Sequence, residues 1–159
     1  MDKSLGSEGG LNNGEQIPVY CEFVIRRNGD GYDVRHWGDV TFTLYPDQSF
    51  FIRCVPPGGA PFESLEFRGG ELTSYTTYPI SEEGHKGSIK AHFELPEFVG
   101  GGYTDPFGTF KVGLINGEGL GSWFIGEFEF SLKLFAVGGE EVDYSIKSLV
   151  FQVQVNHAG

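Results

Sequence analysis

Residues 126–135, GEFEFSLKLF, alternate without a break. Phe128, Phe130, Leu132 and Leu134 fall on one face, and Glu127, Glu129, Ser131 and Lys133 on the other. A period of two is that of a β-strand with one buried and one wet face; a helix would scatter these residues round its circumference. Residues 88–96, SIKAHFELP, repeat the pattern with Ile89, Ala91, Phe93 and Leu95 inward and Lys90, His92 and Glu94 outward. Residues 39–46, DVTFTLYP, place Val40, Phe42 and Leu44 inward and stop at Pro46. Residues 149–155, LVFQVQV, place Leu149, Phe151, Val153 and Val155 inward and Gln152 and Gln154 outward.

Further strand-like runs cover 19–26, 32–37, 49–54, 64–67, 72–78, 109–115, 123–125 and 144–147. No long window carries the i, i+3, i+4, i+7 spacing of an amphipathic helix. Strand signals broken by turn residues every ~8–12 positions point to an all-β sandwich or barrel. One wet face per strand means antiparallel pairing, since parallel sheets are covered on both sides. The expected fold is an antiparallel two-sheet β-sandwich, with a closed β-barrel as the alternative. With 25 Gly and 15 % aromatic residues, the composition fits short strands and tight turns. Residues 1–16 hold Gly, Ser, Asn and Glu with little to bury, and read as a disordered, flexible tail. Residues 17–159 read as a single β domain.

A net charge of −11 repels phosphate backbones and anionic lipid surfaces alike. Nucleic acid and membrane insertion are therefore not expected, the latter also because no apolar run nears the ~20 residues a bilayer span needs. The N-terminus lacks the apolar stretch of a secretory signal, which points to a cytoplasmic protein, with a mature secreted chain as the alternative. Cys21 and Cys54 lie inside strand-like runs and read as reduced, buried thiols, able to form a disulfide only if their strands are neighbours. Neither has a second ligand at zinc spacing.

Residues 26–33, RRNGDGYD, admit two readings. Asn28, Asp30 and Asp33, with Asp39 from the next turn, offer oxygens for calcium. The EF-hand pattern and its closing Glu are missing, and Asn-Gly between two strand-like runs is strong hairpin chemistry. The turn is the expectation, calcium the alternative, and no other cofactor motif is present. Residues 98–108, FVGGGYTDPFG, resemble a phosphate cradle only in their glycines, for no Lys-Ser/Thr and no helix follow. The loop places Tyr103, Asp105 and Phe107 on a flexible base. Together with Trp37 and Trp123 these are the candidate ligand-binding residues, because aromatic rings on a rigid sheet bury much area at small entropic cost.

No catalytic residue is singled out. There is no G-x-S-x-G, and His36, His85, His92 and His157 include no i, i+2 pair. The paired carboxylates Glu82/Glu83 and Glu140/Glu141 sit in turn-like sequence. The expected function is a non-enzymatic module that engages a protein partner or self-assembles into a homo-oligomer. Alternatives are a carbohydrate- or small-ligand-binding module, calcium-assisted or not, and a small β-barrel enzyme with a dispersed site.

Overall fold

The computed structural model describes residues 16–82 and 87–159. The proposed tail lies outside this range save for Gln16, as do Glu83 and His85. The chain forms β1 (Tyr20–Arg27), β2 (Asp30–His36), β3 (Asp39–Leu44), β4 (Phe50–Val55), β5 (Ser64–Gly69), β6 (Thr76–Ile80), β7 (Ile89–Glu94), β8 (Gly102–Tyr103), β9 (Phe107–Val112), β10 (Trp123–Phe135), β11 (Glu141–Gln154) and β12 (His157–Ala158). One 3-10 turn, Pro96–Phe98, follows β7. Among the described residues no helix is long and apolar enough to cross a membrane.

The fold is all-β, but its hydrogen bonds run through one sheet in place of the two expected. Its order is β12-β3-β4-β5-β7-β6-β9-β10-β11-β1-β2, with β8 added beside β10. Pairing is antiparallel except at β6–β7 and β12–β3. The sheet curls into an open half-barrel, so the barrel alternative is met only in part.

Two irregularities bend it. Between β10 and β11 the register shifts from Gly126 to Glu129, and between β1 and β11 it shifts at Glu22/Phe23. Bulges of this kind kink a strand and increase its twist. At the second one Glu22 pairs with Val150 and Phe23 with Ser148, so Leu149 is the extra residue. Leu149 therefore turns outward, half exposed, against the inward face its alternation suggests. The Ser148 hydroxyl accepts the Phe128 N–H at 2.9 Å and fills the gap in the ladder.

Gln154 also departs from expectation. It is buried, accepts the Ile17 N–H at 3.1 Å and donates to the Gly121 carbonyl at 2.9 Å. A buried amide is tolerated because both ends are bonded. Just beyond it, Asn156 bridges to β3: its Oδ1 accepts the Phe42 N–H at 2.8 Å and its Nδ2 donates to Val40 O at 2.9 Å. That stitch carries the end of β11 across the core and holds the curl.

Within the curl, Phe67 is the hub, with ring centroids 4.8 Å from Phe110 and 5.0 Å from Phe128. Phe23, Phe93 and Trp37 extend the cluster, Trp37 lying edge-on to Phe23 at 4.9 Å. Edge-to-face packing suits the ring quadrupoles and adds to the burial of their area. Cys21 and Cys54 are free and buried in the same core.

RRNGDGYD is a hairpin. Asn28 and Gly29 have φ of 54° and 74°, the paired positive values that a two-residue type I′ turn requires.

Candidate functional site

At one end of the curl, β3 and β5 finish where β4 and β7 begin. The residues there form cross-strand rows: Phe50, Gly69 and Ile89 on the core side, and Phe51, Arg68 and Lys90 on the outer side. A cleft of about 900 Å³ opens beside them. Its opposite wall is residues 70–73, carrying Glu71 and Leu72.

Gly69 keeps the floor open. A Cβ there would lie 3.2 Å from Phe50 and 3.3 Å from Ile89, so a side chain would crowd both strands and project where the cleft begins. The Tyr78 hydroxyl pins the opposite wall, accepting the Thr73 N–H at 2.7 Å and donating to Glu71 O at 3.4 Å. The third side is set by the β3–β4 turn. There Asp47 accepts from the Ser49 N–H at 3.0 Å and the Ser49 hydroxyl at 2.6 Å. Those bonds hold the Asp47 carboxyl below the ordinary carboxylate range and fix Tyr45 and Ser49 at the mouth.

The Arg68 guanidinium lies 4.9 Å from the Phe51 ring centroid. Such stacking favours a cation on the ring face while leaving the planar edge free to donate. Arg68 also reaches Glu66 at 3.4 Å, but Glu66 is shared with Arg53 at 3.1 Å. Lys90 sits 3.5 Å from Glu82. Among the described residues the lining thus combines apolar walls with the cations Arg68 and Lys90 and the carboxylate Glu71.

A separate polar cluster lies at the opposite end of the curl. Arg27 grips Glu97 with two hydrogen bonds, 2.8 Å from Nε and 3.3 Å from Nη2, and reaches Asp33 at 3.2 Å. Tyr144 donates its hydroxyl to Glu97, and Arg35 pairs with Asp33. Burial works to raise the Glu97 carboxyl, yet the Arg27 and Tyr144 bonds outweigh it and leave it below the ordinary value. Burial and the Glu97 carboxylate push Tyr144 up to about 12. Every member has a partner of opposite charge or a hydrogen bond, so the cluster reads as a latch fastening the Pro96–Phe98 turn to β1 and β11.

The five ligand candidates named from sequence do not converge. Trp37 is a core residue, 2 % exposed, and presents no ring to solvent. Tyr103 packs on Phe98 at 5.7 Å and on His92 at 6.2 Å. Burial, followed by the charges of Glu94, Asp105 and Glu82, raises its phenol. Asp105 is exposed nearby and Phe107 is 64 % exposed at the start of β9. Trp123 is half-buried at the far end of β10. Phe107 pairs with Ser131, so at ~3.3 Å per residue Trp123 lies roughly 25 Å away along that strand.

Nor do the calcium candidates assemble. The Asn28 Oδ1 accepts the Asp143 N–H at 2.9 Å, and the Asp33 carboxylate is taken by Arg27 and Arg35. Asp30 and Asp39 stand exposed at the starts of β2 and β3. Among the described residues no group of three or more His, Cys, Asp or Glu side chains could hold a metal ion.

The sequence alone singles out none of Phe51, Arg68 and Lys90 as a ligand residue. The available signal was Phe51, a large apolar residue on the outward parity of a strand whose Phe50, Ile52 and Cys54 point in. Its pairing with Arg68 and Lys90 depends on strand order, which one sequence does not reveal. Comparison of the chain with protein-family models, curated proteins and solved structures finds no match.

Proposed function

We propose that the protein is a non-enzymatic binding module that takes a small ligand in the cleft beside Phe51, Arg68 and Lys90. The observation that carries this is the cleft's construction: about 900 Å³ of space between apolar walls, with a few fixed polar groups at its edges. Ligand sites have this character, and their volumes run to roughly 1,000 Å³. The polar groups are held rather than poised for proton transfer. The Tyr78 hydroxyl is bonded on both sides to backbone, and Arg68 is stacked.

The test is amide-resolved NMR titration with a set of small alcohols, carboxylates, aromatic acids and monosaccharides. Binders should shift the amides of Ser49, Gly69, Gly70 and Ser88 together. Hits scattered over the surface, or confined elsewhere, would refute the reading.

A second reading is engagement of a protein partner or another copy, and a different observation favours it. Val99 and Val137 on loops, Phe107 at the start of β9 and Phe135 at the end of β10 are exposed at the latch end, Val137 to 76 %. Gly100 lies against Val137, and Gly101 against Phe135 and Ala136, so these loops are adjacent. Sedimentation velocity across a concentration series checks it. A monomer throughout, unchanged by Phe107→Ser, removes the self-association form of this reading.

A further inference from the structure

We infer that the ligand of the cleft is an amphipathic anion: a carboxylate, sulfate or phosphate carried on an apolar body. The inference rests on the binding reading above and adds the chemistry of what is bound.

Charge distribution is the first ground. The chain as a whole is −11, yet among the described residues the cleft is lined by Arg68 and Lys90 against Glu71. Two cations to one carboxylate among the described lining residues is the reverse of the chain's overall balance, with Glu66 and Glu82 beside the cations but outside the lining.

The arrangement of the two cations is the second. Arg68 and Lys90 are direct cross-strand partners on β5 and β7, which places like charges opposite each other. That pairing is unfavourable in a sheet unless something of opposite sign lies between or beside them. Glu66 supplies only part of it, at 3.4 Å and shared with Arg53, and Glu82 stands 3.5 Å from Lys90. An anion seated over the row would take hydrogen bonds from the guanidinium edge and from the ammonium together. Its planar fork makes Arg68 the better matched of the two for a carboxylate or phosphate.

Shape is the third. The same row contains Phe51, and the cleft continues past Gly69 to Tyr45, Phe50, Leu72 and Ile89. A ligand with its head on Arg68 and Lys90 therefore has apolar lining beside it for the rest of its length. Glu71, on the opposite wall, repels the head and orients it toward β5 and β7.

The experiment compares octanoate with 1-octanol, equal in chain length and different in charge, by NMR titration and calorimetry. The proteins are wild type, Arg68→Gln and Lys90→Gln, with thermal unfolding to confirm that each variant folds. Octanoate should bind about tenfold tighter than 1-octanol, with shifts at Ser49, Gly69, Gly70 and Ser88, as charge-assisted bonds to a head group imply. The preference should shrink in either variant and fall with added salt while 1-octanol binding holds. Equal affinities at the cleft would overturn the anion assignment and leave the cleft as a binding site. Failure of both probes to shift cleft amides would overturn the inference and the binding reading together.

Discussion

Gly108 provides a sharp test of how closely β9 and β10 approach. By sequence it closes the loop FVGGGYTDPFG, where exchange for alanine would cost little. In the fold it lies within β9 and pairs with Phe130. A Cβ built on it would stand 2.0 Å from the Glu129 carbonyl oxygen and 2.6 Å from the Phe130 Cα, both backbone atoms of β10. Ordinary contact begins near 3.4 Å, so Gly108→Ala must part the strands locally by about 1.4 Å. Ladder bonds of ~2.9 Å would then exceed 4 Å and cease to be bonds. Overpacking costs roughly 1–3 kcal/mol and each lost hydrogen bond a further ~1, so we expect a loss of about 3–5 kcal/mol. Urea unfolding followed by circular dichroism should show the midpoint falling by about 2 M, taking a slope near 2 kcal/mol per M. Gly102→Ala is the control from the same loop, because a Cβ there meets nothing within 4 Å. It should fall within about 0.5 kcal/mol of wild type, as surface substitutions do. If Gly108→Ala behaves like Gly102→Ala, β9 does not lie against β10 as described.

Phe67→Ala empties the hub of the aromatic core and should cost about 3–5 kcal/mol in the same assay; a loss below about 1 kcal/mol would contradict its central position. For Glu97 the folded-state carboxyl is depressed, so its contribution to stability is present above its ordinary value of 4.5 and is lost as pH falls through the lower, folded value. Urea midpoints measured from pH 7 to pH 3 should drop less steeply in Glu97→Gln than in wild type, and parallel curves would show that the latch adds nothing. Spectrophotometric titration should find one phenol ionising only near pH 12, absent from Tyr144→Phe, because burial and the Glu97 carboxylate hold its proton. Burial keeps the Cys21 thiol well above its usual value, so aromatic disulfide reagents should leave it untouched in the native protein and react promptly in denaturant. Prompt native reaction would show that the core opens at β1.

Alternation made most strands legible. Residues 39–44 and 89–94 needed nothing beyond period two, since β3 pairs with β4 and β7 with β5 in unbroken register. What escaped was long-range. The run 123–135 is a single strand, because Gly126 is a bulge and not a turn; its Cβ would meet the Lys111 carbonyl at 2.6 Å. Glycine in sequence marks both a chain reversal and a close backbone approach, and only the partner strand decides between them. Leu149 leaves its expected face for a related reason: it is the inserted residue of the β11 bulge, across which the inward parity passes from Tyr144 and Ile146 to Phe151 and Val153. Gln154 keeps its outward parity and is buried because the chain at Ile17 and Gly121 covers it. Trp37 follows a strand end, where sequence suggests a displayed ring, but its indole packs against Phe23 and Phe93 in the core.

The candidate site was the least legible part, and the cause is its construction. Phe51, Arg68 and Lys90 come from three strands, and two of them, Arg68 and Lys90, are separated by β6 and the turns around it. Each taken alone is an ordinary outward residue. Their meeting depends on β7 passing over β6 to pair with β5, while β6 moves on to β9 and touches β7 through a single pair, Ile80 and Ile89. That departure leaves the sheet without a continuous wall beyond Ile89, and residues 70–73 lie across the space. A two-sheet sandwich would close its ends with loops over a sealed core. A curl left open along one seam instead keeps a recess where core-facing Phe50 and Ile89 meet outward-facing Arg68 and Lys90. The same crossover that complicates the topology thus brings apolar lining and the cations Arg68 and Lys90 to one place.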